Sequence, residues 1–285
     1  MKSTSAYLAV LPSSQAFPPP SRRRPSSPTS AFIGLVLVAI IFSVALYVFH
    51  ALVHSLPNLL DKEKGHFTKL PKTLDEIRTL SRIIKTYIKT NWTPFVILYS
   101  YVYIFLQSFA IPGSISLSIV GGAVFGLRNG LGLVCICSAI GATNAYLLSW
   151  LAAGPLLRGG FKNRIEKMKL QVAQNRNQLF PYMLFLRITP LCPNWLLNLA
   201  APHLGIPIHV FFITTVIGVA PLSLLHIQAG ETLDEMSSLE EVSLLNSKNL
   251  GRMALVVVGS AVLLVIPKLW KPKDVDESSL TTKTE

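Results

Sequence analysis

The chain has 285 residues, of which 51% are hydrophobic and only 14% charged, with a formal net charge of +12. Soluble domains carry roughly 25% charged residues, so this composition excludes an ordinary soluble domain and predicts an integral membrane protein. The positive balance does not indicate nucleic acid: the basic residues stand in short runs beside apolar segments, as in cytosolic loops facing anionic lipid, and no basic stripe with stacking aromatics accompanies them.

Residues 1–30 contain the run PPPSRRRPSSPTS and no acidic residue, a composition that predicts disorder. An organelle transit peptide has the same composition, but its arginines favour amphipathic spacing, which prolines interrupt here. The run 31–53 is continuously apolar and long enough to cross a bilayer with some tilt. It begins too late for a simple cleaved signal, so a retained first transmembrane helix is predicted. Residues 61–93 read as a basic loop holding one amphipathic helix. Thr73 and Glu76 form a capping box, and Leu74, Ile77, Leu80, Ile84 and Ile88 recur at helical spacing. Two readings fit that helix: it lies in the membrane interface, or it packs on the protein.

Residues 94–111 read as a second span, and 112–127 (PGSISLSIVGGAVFGL) are too short and glycine-rich for another. Residues 130–153 form a third span. A polar, basic segment with a helical pattern follows at 158–178. Spans at 206–229 and 252–270 flank an acidic loop, 230–250, and a polar tail covers 271–285. The basic loops 61–93 and 154–178 and the KLWKPK stretch read as cytosolic, and the acidic loop as luminal. Arg22, Arg23 and Arg24 favour the cytosol, yet a full first span puts them opposite loop 61–93. Sequence leaves the orientation of that helix open. Cys135, Cys137 and Cys192 lie in apolar surroundings without zinc-ligand spacing and read as reduced, buried thiols.

The stretch 185–205, FLRITPLCPNWLLNLAAPHLG, breaks the pattern. It is apolar, yet it carries Arg187, Thr189, Asn194, Asn198 and His203, with Pro190, Pro193 and Pro202. An arginine at bilayer depth costs roughly 2.5–3.5 kcal/mol on insertion scales, and proline removes backbone donors. Such backbone persists only when buried in protein or lining a wet cavity. The layout also repeats. Pro112 opens a short segment ending near Gly126, before the span 130–153. Pro190 opens another ending near Gly205, before the span 206–229. Paired, interrupted segments in two inverted halves point to a transport site near the midplane. The fold expected is therefore all-α, a multi-spanning helical bundle with two opposed re-entrant segments, 112–127 and 180–203, in an inverted repeat.

The strings GGAVFG (121–126), GATNAYLLS (141–149) and FLRITPLCPNWLLN (185–198) resemble the VTT-domain superfamily, also called the SNARE-associated Golgi protein or DedA superfamily. Within it, the eukaryotic transmembrane protein 41 branch is the most similar. The resemblance covers about 95–235, and the membrane domain is drawn at 94–235, with a last helix at 251–270. It implies an endoplasmic-reticulum lipid scramblase tied to autophagosome formation and lipid mobilisation, with the Golgi, other endomembranes or a plastid as alternative sites. Bacterial relatives couple transport to protons and carry acids where this chain has Ser114 and Ala142. Their absence favours energy-independent scrambling over ion coupling.

The residues assigned to the lipid path are Arg187, Thr189, Pro190, Pro193, Asn194, Asn198, Gly121, Gly122 and Gly126. The Arg187 guanidinium suits a lipid phosphate, and equally the carbonyls freed by proline. Asn194 and Asn198 lie four apart, on one face of a helix starting at Pro193, where they line the path or cap the helix. The glycines permit a tight turn and close helix approach. No HExxH, GxSxG or paired membrane carboxylates occur, so neither an enzyme nor a cofactor or metal is expected. The partners expected are phospholipids and the membrane, with further copies of the chain or other membrane proteins, and no nucleic acid. Two alternatives remain: an ion-coupled lipid transporter and a non-transporting membrane organiser.

Overall fold

Lipid offers the backbone no hydrogen-bond partner, so an uninterrupted apolar run must become a helix. The first such run forms α1, Pro28–His54. The structure, a computed structural model, describes residues 28–56, 73–152, 162–189, 193–237 and 261. Every regular element among these is helical. Helix α1 turns Phe32, Ile40, Val44 and Tyr47 outward. It is tied to the bundle by the Tyr101 hydroxyl, which donates to the Ala45 carbonyl at 2.8 Å, and by Phe42, whose ring packs on Phe105 and Phe109.

Helix α2, Leu74–Ile88, begins at the expected capping box. The Glu76 amide donates to Thr73 Oγ1 at 3.2 Å and the Thr73 amide to Glu76 Oε2 at 3.4 Å. Leu80, Ile84 and Tyr87 are buried in an apolar cluster with Phe95, Tyr99, Phe125 and Ile227. Of the two readings of this helix, its apolar face follows the second and packs on the protein, while Arg82 and Lys89 are exposed.

Helix α3 is Trp92–Ser108, and α4 is Ser114–Ala152 with one break at Gly126 (φ 71, ψ 179). The chain reverses between them through Ala110 and Gly113, both at positive φ. The first half of α4, 114–125, runs back along α3: the Tyr99 hydroxyl donates to the Leu117 carbonyl at 2.8 Å, and Phe125 packs on Trp92, Phe95 and Tyr99. The second half, 127–152, turns to run parallel with α3. Ser138 Oγ donates to the Tyr103 hydroxyl at 3.1 Å, and Asn144 Nδ2 to Ser108 Oγ at 3.2 Å. A helix of 17 residues, as in α3, reaches about 25 Å, and the first half of α4 about 18 Å, both short of a roughly 30 Å hydrocarbon core.

After the polar α5, Lys162–Gln174, come α6, Leu179–Ile188, and α7, Asn194–Ala200. A 3-10 turn at Ala201–His203 and Gly205 (φ 71) lead into α8, Ile208–Ser237. Gly126 and Gly205 thus share a left-handed conformation, and a long helix follows each. The two long helices run antiparallel: Tyr146 stacks on Phe211 at 5.2 Å, and the Ile227 side chain lies 3.7 Å from the Cβ position of Gly130. The first half of α4 meets α8 so closely that a methyl on Gly122 would overlap the Ile227 carbonyl, and one on Gly230 the Ile119 carbonyl.

Helix α8 extends past the expected end of its span. Residues 230–237, read from sequence as the start of an acidic loop, continue the helix. No proline or glycine follows Gly230 until Gly251, so nothing in the backbone stops it there. The rest of the acidic loop, the expected last span except residue 261, and both termini lie outside the described residues.

Candidate functional site

Pro190 sets the geometry of the site, because the residue before a proline is driven out of the helical region. Thr189 accordingly adopts φ −88, ψ 142, and α6 ends. Both its amide and its hydroxyl donate to the Phe185 carbonyl, at 2.9 and 2.6 Å. Thr189 is buried and its hydroxyl closes its own helix rather than lining a path. Pro193, at φ −57, ψ 131, opens α7, which puts Asn194 in the first turn and Asn198 one turn later. Pro190 itself lies outside the described residues.

Arg187 occupies the last turn of α6 and is 6% exposed. Its Nη2 donates to Asn198 Oδ1 at 3.3 Å, and its guanidinium carbon sits 4.5 Å from the Phe211 ring centroid. Asn198 is equally buried, so this hydrogen bond joins α6 to α7 across the break. The Cβ of Arg187 lies 2.7 Å from where a Cβ would stand on Gly218. Gly218 falls near the middle of the apolar span Ile208–Thr232, so the arginine is rooted close to mid-span. Three residues later, Pro221 has no amide to donate to the Ile217 carbonyl.

The far side of α7 is held by α4. Ser149 Oγ donates to the Leu199 carbonyl at 2.6 Å and lies 3.2 Å from His203 Nε2, and the Tyr146 hydroxyl donates to the Ile206 carbonyl at 2.9 Å. His203 is therefore a hydrogen-bonded structural group.

The structure divides the candidate residues into two places. Arg187, Asn198, Thr189, Pro193 and Asn194 surround the α6–α7 break. Gly121, Gly122 and Gly126 belong to the first half of α4, against Tyr99, Ile227 and Glu231. Phe211, level with the first place, and Ile227, level with the second, are about 24 Å apart along α8. Sequence reasoning passed over Phe211, Gly218 and Ser149. A lone glycine in an apolar span signals close approach, but nothing in the sequence names its partner. Among the described residues no group of His, Cys, Asp or Glu side chains is placed to hold a metal. Cys135 and Cys137 are buried and free.

The VTT domain matches residues 111–232, which contain both places. Similar proteins include transmembrane protein 41B of Gallus gallus, 36% identical over 244 residues that cover 86% of this chain and 88% of the relative. Transmembrane protein 41B of Danio rerio is 35% identical over 91% of this chain and 90% of its own length. The chain belongs to the VTT-domain family. Transmembrane protein 41B of Homo sapiens is 36% identical over 86% of this chain and 81% of its own length. No solved structure matches this VTT-domain chain. Family membership agrees with the three helices among the described residues that are long and apolar enough to cross a membrane, Phe32–His54, Ser114–Ala152 and Ile208–Thr232, and makes it an integral membrane protein.

Proposed function

We propose that this VTT-domain protein is a phospholipid scramblase of an endomembrane, the endoplasmic reticulum foremost, that moves lipids between leaflets without an energy source. On this reading it supports autophagosome formation and lipid mobilisation and is not an enzyme. The observation that carries the reading is Arg187, a buried arginine beside the α6–α7 break whose guanidinium meets Asn198 and the Phe211 ring. A guanidinium has five donors in a planar fork suited to phosphate oxygens. The Asn198 contact is a single hydrogen bond of 3.3 Å, weak enough for an incoming phosphate to replace. The headgroup then moves along the break while the acyl chains stay in lipid.

A further feature supports it. Short helices 114–125 and 194–200 each precede a glycine at φ 71 and a long helix, and the long helices are antiparallel, the arrangement an inverted repeat of re-entrant segments requires.

The test is reconstitution of the purified chain into vesicles with a fluorescent phospholipid and dithionite outside. The wild type is expected to expose inner-leaflet lipid to dithionite, and Arg187→Ala to slow that exposure at unchanged protein incorporation. Fluorescence loss no greater than in protein-free vesicles would sink the proposal.

A further inference from the structure

A second polar site stands at the opposite end of α8. Gln228 is 5% exposed, yet neither its Oε1 nor its Nε2 has a hydrogen-bond partner among the described residues. A bare carboxamide in an apolar bundle is costly, and its retention calls for a ligand or water. Glu231 follows one turn later on the same side of α8, and its Oε1 lies 3.7 Å from the Cβ position of Gly126. At Gly126 the first half of α4 ends, so its last carbonyls lose their helical donors and carry partial negative charge. Helix α2 packs against both α4 and α8. Its Tyr87 hydroxyl is also buried without a partner among the described residues.

The groups collected at this end are a carboxylate, a carboxamide and helix-end carbonyls. They carry negative charge and acceptors, and so suit a cation such as an ammonium far better than a phosphate. Gln228 and Glu231 also stand at the end of the apolar span Ile208–Thr232, where lipid headgroups lie. Arg128, exposed and two residues beyond Gly126, supplies a positive charge for the phosphate of the same headgroup. We infer that Gly126, Gln228 and Glu231 form a binding site for the ammonium group of a zwitterionic phospholipid. Its role as the entry station of a lipid path rests on the scramblase reading; its existence as a site does not.

The experiment titrates the purified full-length chain in detergent with dihexanoylphosphatidylcholine, dihexanoylphosphatidylglycerol and free choline, with binding read by calorimetry. The choline lipid is expected to bind about tenfold more tightly than either other ligand. Glu231→Gln, nearly isosteric, removes the preference. Gln228→Met weakens binding of the choline lipid and raises the melting temperature, because an unpaired amide is replaced by an apolar chain. Equal affinity for the two lipids, or a preference that survives Glu231→Gln, overturns the site. Free choline binding as tightly as the lipid overturns the lipid as its source. Vesicle transport at the protein-free level with the preference intact removes the lipid path and leaves the site standing. Transport without any preference does the reverse.

Discussion

Arg187 is a costly side chain to bury, and its surroundings show how that cost is offset. The guanidinium lies over the face of Phe211, where the ring quadrupole attracts it, and one nitrogen reaches Asn198. Replacing Asn198 by leucine keeps the volume but removes the acceptor from a charged donor. The expected loss is about 1.5–3 kcal/mol, measured as a lower unfolding midpoint in detergent. Gly218→Ala acts from the other side: its methyl would meet the Arg187 Cβ at 2.7 Å. That crowding is expected to cost about 1–3 kcal/mol and to reduce lipid transport together with stability. The arginine itself was legible in the sequence, since a charge inside an apolar run announces itself. Its partners were not. Phe211 and Gly218 look like ordinary members of an apolar helix, and only the approach of α6 to α8 selects them.

Helix ends were legible wherever a local chemical rule decides them. Thr73 and Glu76 announce the start of α2, and both hydrogen bonds of the box are present. Thr73→Ala is expected to remove about 1 kcal/mol of capping and to speed amide exchange over 74–88 without changing exchange in α8. Gly126 and Gly205 were legible as the ends of the short segments, because each must supply a conformation that other residues avoid. Ala at either position is expected to cost about 1–2 kcal/mol, again read as the unfolding midpoint. The C-terminal end of α8 was misplaced for a related reason. Charge at Glu231, Asp234 and Glu235 read as a loop, but charge does not stop a helix; a glycine, a proline or a lost packing face does. That misplacement mattered, because it put Glu231 in a loop rather than on the helix that carries it to Gly126.

Across the whole bundle, the antiparallel pairing of α8 with the second half of α4 places one short helix near each end of the pair. The first half of α4 lies against the end of α8 at Ile227, and α7 lies against the end of α4 at Ser149. On the scramblase reading, each leaflet therefore meets a broken helix of the same construction. The two are not chemically equal: Arg187 and Asn198 stand at one, Gln228 and Glu231 at the other. Unequal stations change how fast a headgroup moves, but they cannot drive it uphill. A ligand shifts an equilibrium only through differential binding free energy, and a passive path adds none to the lipid distribution. Lipid flux is accordingly expected to be equal in both directions at equal leaflet composition. It should also be unaffected by an imposed pH gradient or membrane potential. Dithionite bleaching of symmetrically labelled vesicles reports outward movement, and the share of outer-leaflet-added fluorescent lipid that albumin can no longer extract reports inward movement. Transport that appears only under a gradient, or in one direction, would show that the chain is an ion-coupled lipid transporter instead.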